Sequence, residues 1–166
     1  MILDRQGHAS RITHHERIGP FMPLDIDEST QEFIRGHRVA RLATSDALGQ
    51  PAVVPICYAF DGESFYVALD EKAKSVADQE LKRVRNIRAN SRVALIIDDY
   101  SEDWSKLVYV LISGAGMIIS PAENASEHAR AVELLREKYP QYRSMAIDER
   151  PMIKITPTRF KLWSAR

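Results

Sequence analysis

The chain has 166 residues, enough for one domain with a real core. Its 23 basic residues are balanced by 23 acidic ones, which argues against a dedicated polyanion binder such as a nucleic-acid domain. A single cysteine, Cys57, allows no intrachain disulfide and fits a reducing cytoplasm, while apolar runs of about seven residues fall far short of the roughly 20 that cross a bilayer as a helix.

Residues 1–23 show no steady periodicity and carry Gly7, Gly19, Pro20 and Pro23, so they read as an arm without an export signal. The domain proper is then 24–166. Ser29 with Glu32 forms a capping-box pattern, which predicts a short helix over 30–36 that buries Phe33 and Ile34. A first strand over 39–44 leads through the turn at 46–49 into a second over 52–60. Pro55 interrupts the second strand and favours an edge or a bulge. Asp61-Gly62 is a hairpin signal before a third strand over 64–69. A basic segment over 75–90 reads as helical, with Leu81, Val84 and Ile87 near one face. The run VALII in the fourth strand, 92–98, is apolar on both faces, as in a central strand. An acidic loop over 99–105 precedes a long fifth strand, 107–119, where Gly114 and Gly116 permit a bend. Ser120 to Glu123 is a second capping box, with proline at the first helical position. The helix it starts should reach Tyr139 before Pro140, with Ala129, Val132, Leu134 and Leu135 as its apolar positions. A sixth strand over 152–163 is broken near Pro157. Six antiparallel strands with peripheral helices predict a mainly β, partly closed barrel.

Lys72, Lys74, Lys82, Arg83, Arg85, Arg88 and Arg92 crowd into one segment, offset in part by Asp70, Glu71, Asp78 and Glu80. Such a run is a solvated helix face with local ion pairs, or a phosphate site built from cations and helix N–H groups. Other clusters point to no chemistry. His8, His14 and His15 have no companion ligand at metal spacing. The carboxylates Asp98, Asp99, Glu102 and Asp103 fit no calcium loop, and Cys57 sits among apolar strand residues. His37 and His128 have no nucleophile beside them, and neither GxGxxG nor a Walker motif occurs. No catalytic residue and no metal ligand is assigned.

Between residues 38 and 99 the segments ARLAT, GQP followed by VVP, FYV, KxK, RNI and VALIIDD occur in this order. In that order and spacing the chain resembles the flavin-binding split β-barrel family of pyridoxamine 5′-phosphate oxidase. In particular it resembles the branch of small proteins that use the deazaflavin coenzyme F-420 in place of FMN. The resemblance implies a homodimer with cofactor sites at the subunit interface. It also implies that the basic residue three positions before the Asn of RNI, here Arg83, contacts the cofactor phosphate, with Lys74 of KxK as a second contact. The strands carrying Val53, Val54 and Pro55 and carrying Tyr66 and Val67 correspond to the platform under the tricyclic ring. Thr44 could add a hydroxyl, and Trp104 could close over the cofactor or fill an interface. The deazaflavin's acidic tail would be sensed by cations such as Lys72, Lys74, Lys82 and Arg85.

The activity implied is hydride transfer between a bound deazaflavin or FMN and a small organic substrate, the cofactor carrying the chemistry. Pyridoxamine-phosphate oxidation itself is not expected, because the last strand lacks the longer terminal segment with its substrate-phosphate arginine. A non-enzymatic flavin or haem binder of the same fold is the alternative. Neither nucleic acid nor a membrane is an expected partner.

Overall fold

The computed structural model describes residues 11–16, 26–69 and 81–165. Period-two alternation of burial builds the sheet. In the strand Val39–Ser45 (β2) Ala40, Leu42 and Thr44 are buried, while their neighbours face outward. Arg92–Asp99 (β6) repeats the pattern with Val93, Leu95 and Ile97. The remaining strands are Arg11–Glu16 (β1), Pro51–Cys57 (β3), Ala59–Phe60 (β4), Phe65–Ala68 (β5), Val108–Ile119 (β7) and Met152–Ser164 (β8). Every pairing is antiparallel, in the order β3-β2-β6-β7-β8-β5-β4, with β1 added to β8. The architecture is therefore mainly β, a curled split barrel with helices Glu28–Gly36 (α1), Lys82–Ala89 (α2) and Ala125–Lys138 (α3).

The strand count departs from the expected six for two physical reasons. First, the predicted second strand divides at Tyr58, not at Pro55. β3 and β4 lie at opposite ends of the sheet yet are separated by this one residue, so the sheet must curl until its ends meet. Tyr58 is fully buried, and its hydroxyl donates to Ile34 O at 2.5 Å. Tyr139 completes the junction. Its hydroxyl accepts from Tyr58 N at 3.1 Å and lies 2.9 Å from Tyr58 O and 2.7 Å from Arg38 O. Second, residues of the predicted arm form β1, which pairs along the second half of β8. Pro55 lies within β3, which among the described residues pairs only with β2. That edge position tolerates a residue without an N–H.

The bend expected at Gly114 is real, but the extra residue is on the other strand. Ser113 pairs with Arg159 and Gly114 with Pro157, so Thr158 bulges out and donates to Ser113 O at 3.2 Å. A Cβ on Gly114 would lie 2.6 Å from Thr156 O, so only glycine fits. Asp27, not Ser29, caps α1. Its carboxylate accepts from Thr30 N at 2.9 Å and from both following hydroxyls, which starts the helix earlier than the capping box implied. Ser120 Oγ does accept from Glu123 N at 3.3 Å, but this closes a turn, and α3 begins only after Asn124. The buried face of α3 is His128, Ala131, Val132 and Leu135, so Ala131 replaces the exposed Ala129. These residues cover a second apolar cluster with Tyr66, Ile119 and Met152. Inside the barrel, Phe60 stacks on Phe65 at 4.5 Å, with Tyr58 and Phe160 around them. No helix among the described residues is long and apolar enough to cross a membrane.

Lys138 is a half-buried cation at the barrel junction, with its Nζ atom buried. Its Nζ lies 4.0 Å from the Tyr58 ring centroid and has no hydrogen-bond partner among the described residues. Burial, with Arg38 adding repulsion, pushes the amine down to about 8 from its usual 10.5. The folded state therefore holds fewer protons than the unfolded one between these values, and stability rises with pH across that window. Lys138→Met should be more stable than the wild type at pH 7 by on the order of 1 kcal/mol, a figure discounted because the side chain is only partly buried. The difference should shrink between pH 8 and 10. Paired urea melts across that range check both the sign and the convergence.

Candidate cofactor site

The short helix α2 carries four cations, Lys82, Arg83, Arg85 and Arg88, and no acid. Two of them stand in its first turn, the end at which the helix dipole disfavours positive charge. Leu81 precedes the helix and makes no side-chain cap bond to it. An anion at the helix start would offset this charge.

What holds α2 in place is polar and buried. Asn86, of the RNI segment, is 3% exposed and donates through Nδ2 to Thr44 Oγ1 at 3.0 Å. One turn later Asn90 donates to Ser45 Oγ at 2.9 Å. The two rungs tie successive turns of the helix to successive residues of β2. Val84 and Ile87 bury against the barrel, and Ile87 packs over Gly116, where a Cβ would crowd it at 3.3 Å. Arg83, half-buried and one turn before Asn86, is thereby set on the flank of α2 that adjoins β2. Asn86→Ala should destabilise the protein by about 1–3 kcal/mol, because it removes this bond and strands the Thr44 hydroxyl. A urea melt measures the loss. Retention of wild-type stability would mean that the rung carries no net free energy.

The structure brings some of the expected site residues together and separates others. Thr44 pairs with Ala52, and Val53 with Ala43, so Thr44 and β3 lie next to the helix that carries Lys82 and Arg83. Val53 and Pro55 point outward from the edge strand and are exposed, Val53 at 62%. Val54 points the other way, against the barrel core. Val67 is buried in the barrel core and Tyr66 in the cluster beneath α3. The Tyr66 hydroxyl lies 3.1 Å from Asp61 Oδ2 and 3.0 Å from Glu127 Oε1. Burial and the two carboxylates push its ionisation up. Arg130 pairs with Asp61, and Lys154 with Glu127.

Trp104 is 70% exposed, in a 3₁₀ turn beyond the end of β6. Ala43 pairs with Ala94 near the other end of β6, so about 17 Å of strand separates Trp104 from the Thr44 end within one chain. Lys72 and Lys74 lie outside the described residues. Among the described residues no group of three or more His, Cys, Asp or Glu could hold a metal ion. Asp98 pairs with Arg41, Asp99 lies 3.0 Å from His37 Nε2, and Asp103 caps the turn at Ser105. Sequence reasoning missed Asn86 and Asn90 as the residues that position α2. Their spacing of four on a helix beside Thr44-Ser45 was the available signal.

A group bearing a flat apolar ring and a phosphate fits these residues. Val53 and Pro55 offer an outward apolar shelf, and Lys82, Arg83 and Arg85 offer cations near the helix start.

Residues 26–164 match the family described as Pyridoxamine 5′-phosphate oxidase. No curated protein matches the chain. Among solved structures, a conserved hypothetical protein of Mycobacterium tuberculosis is similar with a TM-score of 0.66 and 21% identity, over 90% of this chain and 91% of that one. The haem storage protein HutZ of Vibrio cholerae gives 0.61 and 15% identity, over 78% and 87%. A protein described as an F420 reductase gives 0.55 and 22% identity, over 81% and 96%. At these identities the likenesses concern the fold.

Proposed function

The chain belongs to the pyridoxamine 5′-phosphate oxidase family, and from this premise we propose that it is an oxidoreductase which holds a deazaflavin of the coenzyme F-420 type, or FMN, as a homodimer. The observation that carries the reading is the helix α2, whose only charged side chains are cations, clamped to β2 beside an exposed apolar edge strand. When bound, the cofactor supplies hydride transfer to or from a small organic substrate. The chain's own residues position it. Arg83 neutralises phosphate, and the Asn86–Thr44 rung fixes that helix start against the strand. Val53 and Pro55 cover the face of the ring and exclude water from it. The deazaflavin is preferred over FMN because a longer anionic tail uses the further cations Lys82 and Arg85. Dimerisation supplies what one chain lacks. The outward face of β2, β3, β6, β7 and β8 bears Val39, Val53, Pro55, Ile96, Leu111 and a Tyr109–Trp163 stack at 5.3 Å, only half covered.

The second reading is a non-enzymatic flavin or haem binder, which the likeness in fold to a haem storage protein supports. Turnover separates the two. The enzyme reading expects chemical reduction of bound cofactor followed by reoxidation on addition of organic acceptors. Tight binding of haem, with no acceptor-dependent reoxidation of either flavin, would favour the binder.

A further inference from the structure

A cleft opens on the side of α2 that adjoins β7. Its volume is about 670 Å³, within the range of small-molecule sites, roughly 300–1,000 Å³. Ile87 of α2 and Met117 and Ile118 near the end of β7 give it an apolar lining. Three charged side chains line it as well: Arg88 of α2, Glu123 of the turn after β7, and Glu149 of the 3₁₀ turn before β8. All three are exposed, and none has an ion pair among the described residues. Topology sets the charges apart. α2 leads into β6, which pairs with one edge of β7, whereas Glu149 precedes β8, which pairs with the other. Arg88 therefore stands on one side of β7 and Glu149 on the other, with Glu123 beyond its end.

The cleft also holds an open strand edge. In an antiparallel ladder the main-chain groups of successive residues face opposite edges. Gly116 N donates to Ser91 O at 2.7 Å, on the β6 side. Ile118, two residues on, turns its N–H and C=O to that same side, where no strand continues because the chain before Ser91 is the end of α2. Neither group has a partner on that edge among the described residues. An occupant that suits these features has an amide for the strand edge, an anion for Arg88, a cation for the two carboxylates and an apolar body. We infer that the cleft binds a short linear peptide with both termini free, laid along β7 at Ile118, its carboxylate on Arg88 and its ammonium on Glu123 and Glu149. The site uses none of the side chains assigned to the cofactor.

Trileucine is the probe, titrated calorimetrically into the purified protein beside its N-acetyl and C-amide forms. Saturable binding at one peptide per chain is expected, weakened about tenfold or more by blocking either terminus. Arg88→Gln should weaken trileucine to the level of its amide and leave the protein indifferent to amidation. Glu123→Gln/Glu149→Gln should do the same for acetylation. These side chains are exposed, so the variants should melt as the wild type does. Hydrogen exchange at the Ile118 amide should slow when the peptide binds. Absence of saturable binding would overturn the inference. So would equal binding of the blocked peptides, which marks a site for the interior of a longer chain, or an effect of blocking that survives the substitutions. None of these outcomes bears on cofactor binding.

Discussion

Asp61→Ala is expected to destabilise the fold by about 3 kcal/mol, among the largest effects of any single truncation outside the barrel core. Asp61 opens the turn between β4 and β5. Its Oδ1 accepts from Glu63 N at 2.9 Å and from Ser64 N at 2.8 Å, while Gly62 takes the positive φ the turn needs. Its Oδ2 meets the Tyr66 hydroxyl and Arg130. Alanine would leave two turn amides without their acceptor and loosen α3 from the sheet. Burial opposes ionisation of this carboxyl, but the Ser64 and Glu63 amides and Arg130 outweigh it and hold it below the usual carboxylate range. Its contribution is therefore present above the unfolded-state pKa and lost as pH falls through the folded one. The gap between wild type and variant, read from urea melts, should be widest at neutral pH and narrow in acid. A gap independent of pH would mean that the carboxylate's charge is not what stabilises the turn.

Arg83→Glu is expected to weaken binding of a phosphate-bearing cofactor ten- to a hundredfold or more with little loss of stability. A charge-assisted contact contributes about 1.5–3 kcal/mol, and reversal adds repulsion. The fold should tolerate the change because Val84, Asn86 and Ile87 anchor α2 to the barrel. A glutamate in the first turn also suits the helix dipole better than arginine does. Unchanged affinity in a folded variant would move the phosphate to other cations, Lys74 first among them. Salt dependence distinguishes the two cofactors. Neutralising Lys82 and Arg85 together should flatten the salt dependence for the deazaflavin more than for FMN. Equal losses for both would indicate a single shared phosphate site and transfer the assignment to FMN.

The parts of the fold legible in the sequence are those governed by local periodicity and turn chemistry. Apolar patterning located β2, β7 and β8, and the continuous run VALII located β6, whose burial in fact alternates. Asp61-Gly62 marked its turn, and Pro140 marked the end of α3. What escaped depends on contacts distant in sequence. The break at Tyr58 is set by closure of the barrel and by Tyr139, 81 residues later. Nothing local in residues 11–16 reveals a strand, because its partner is the last strand of the chain. The capping box at Ser29 lost to Asp27, whose carboxylate binds the same helix start and both hydroxyls besides. Along α3, Ala129 and Ala131 are equally apolar, and only the docking direction of the helix selects the second. The site divides likewise. The cations of α2 were visible as a run. The inward turn of Val54, Tyr66 and Val67 follows from strand pairing and from α3, and the Asn86–Thr44 rung joins residues 42 apart.

Titration of the purified protein with FMN and with the deazaflavin, followed by absorbance and fluorescence at low and high salt, decides whether a phosphate-bearing ring cofactor binds at α2. Saturable binding at one cofactor per chain, with a shifted spectrum and an affinity that falls as salt rises, is the predicted result, the deazaflavin being the tighter and the more salt-sensitive ligand. A folded protein that saturates with neither, or that binds both with no dependence on salt or on Arg83, would contradict it.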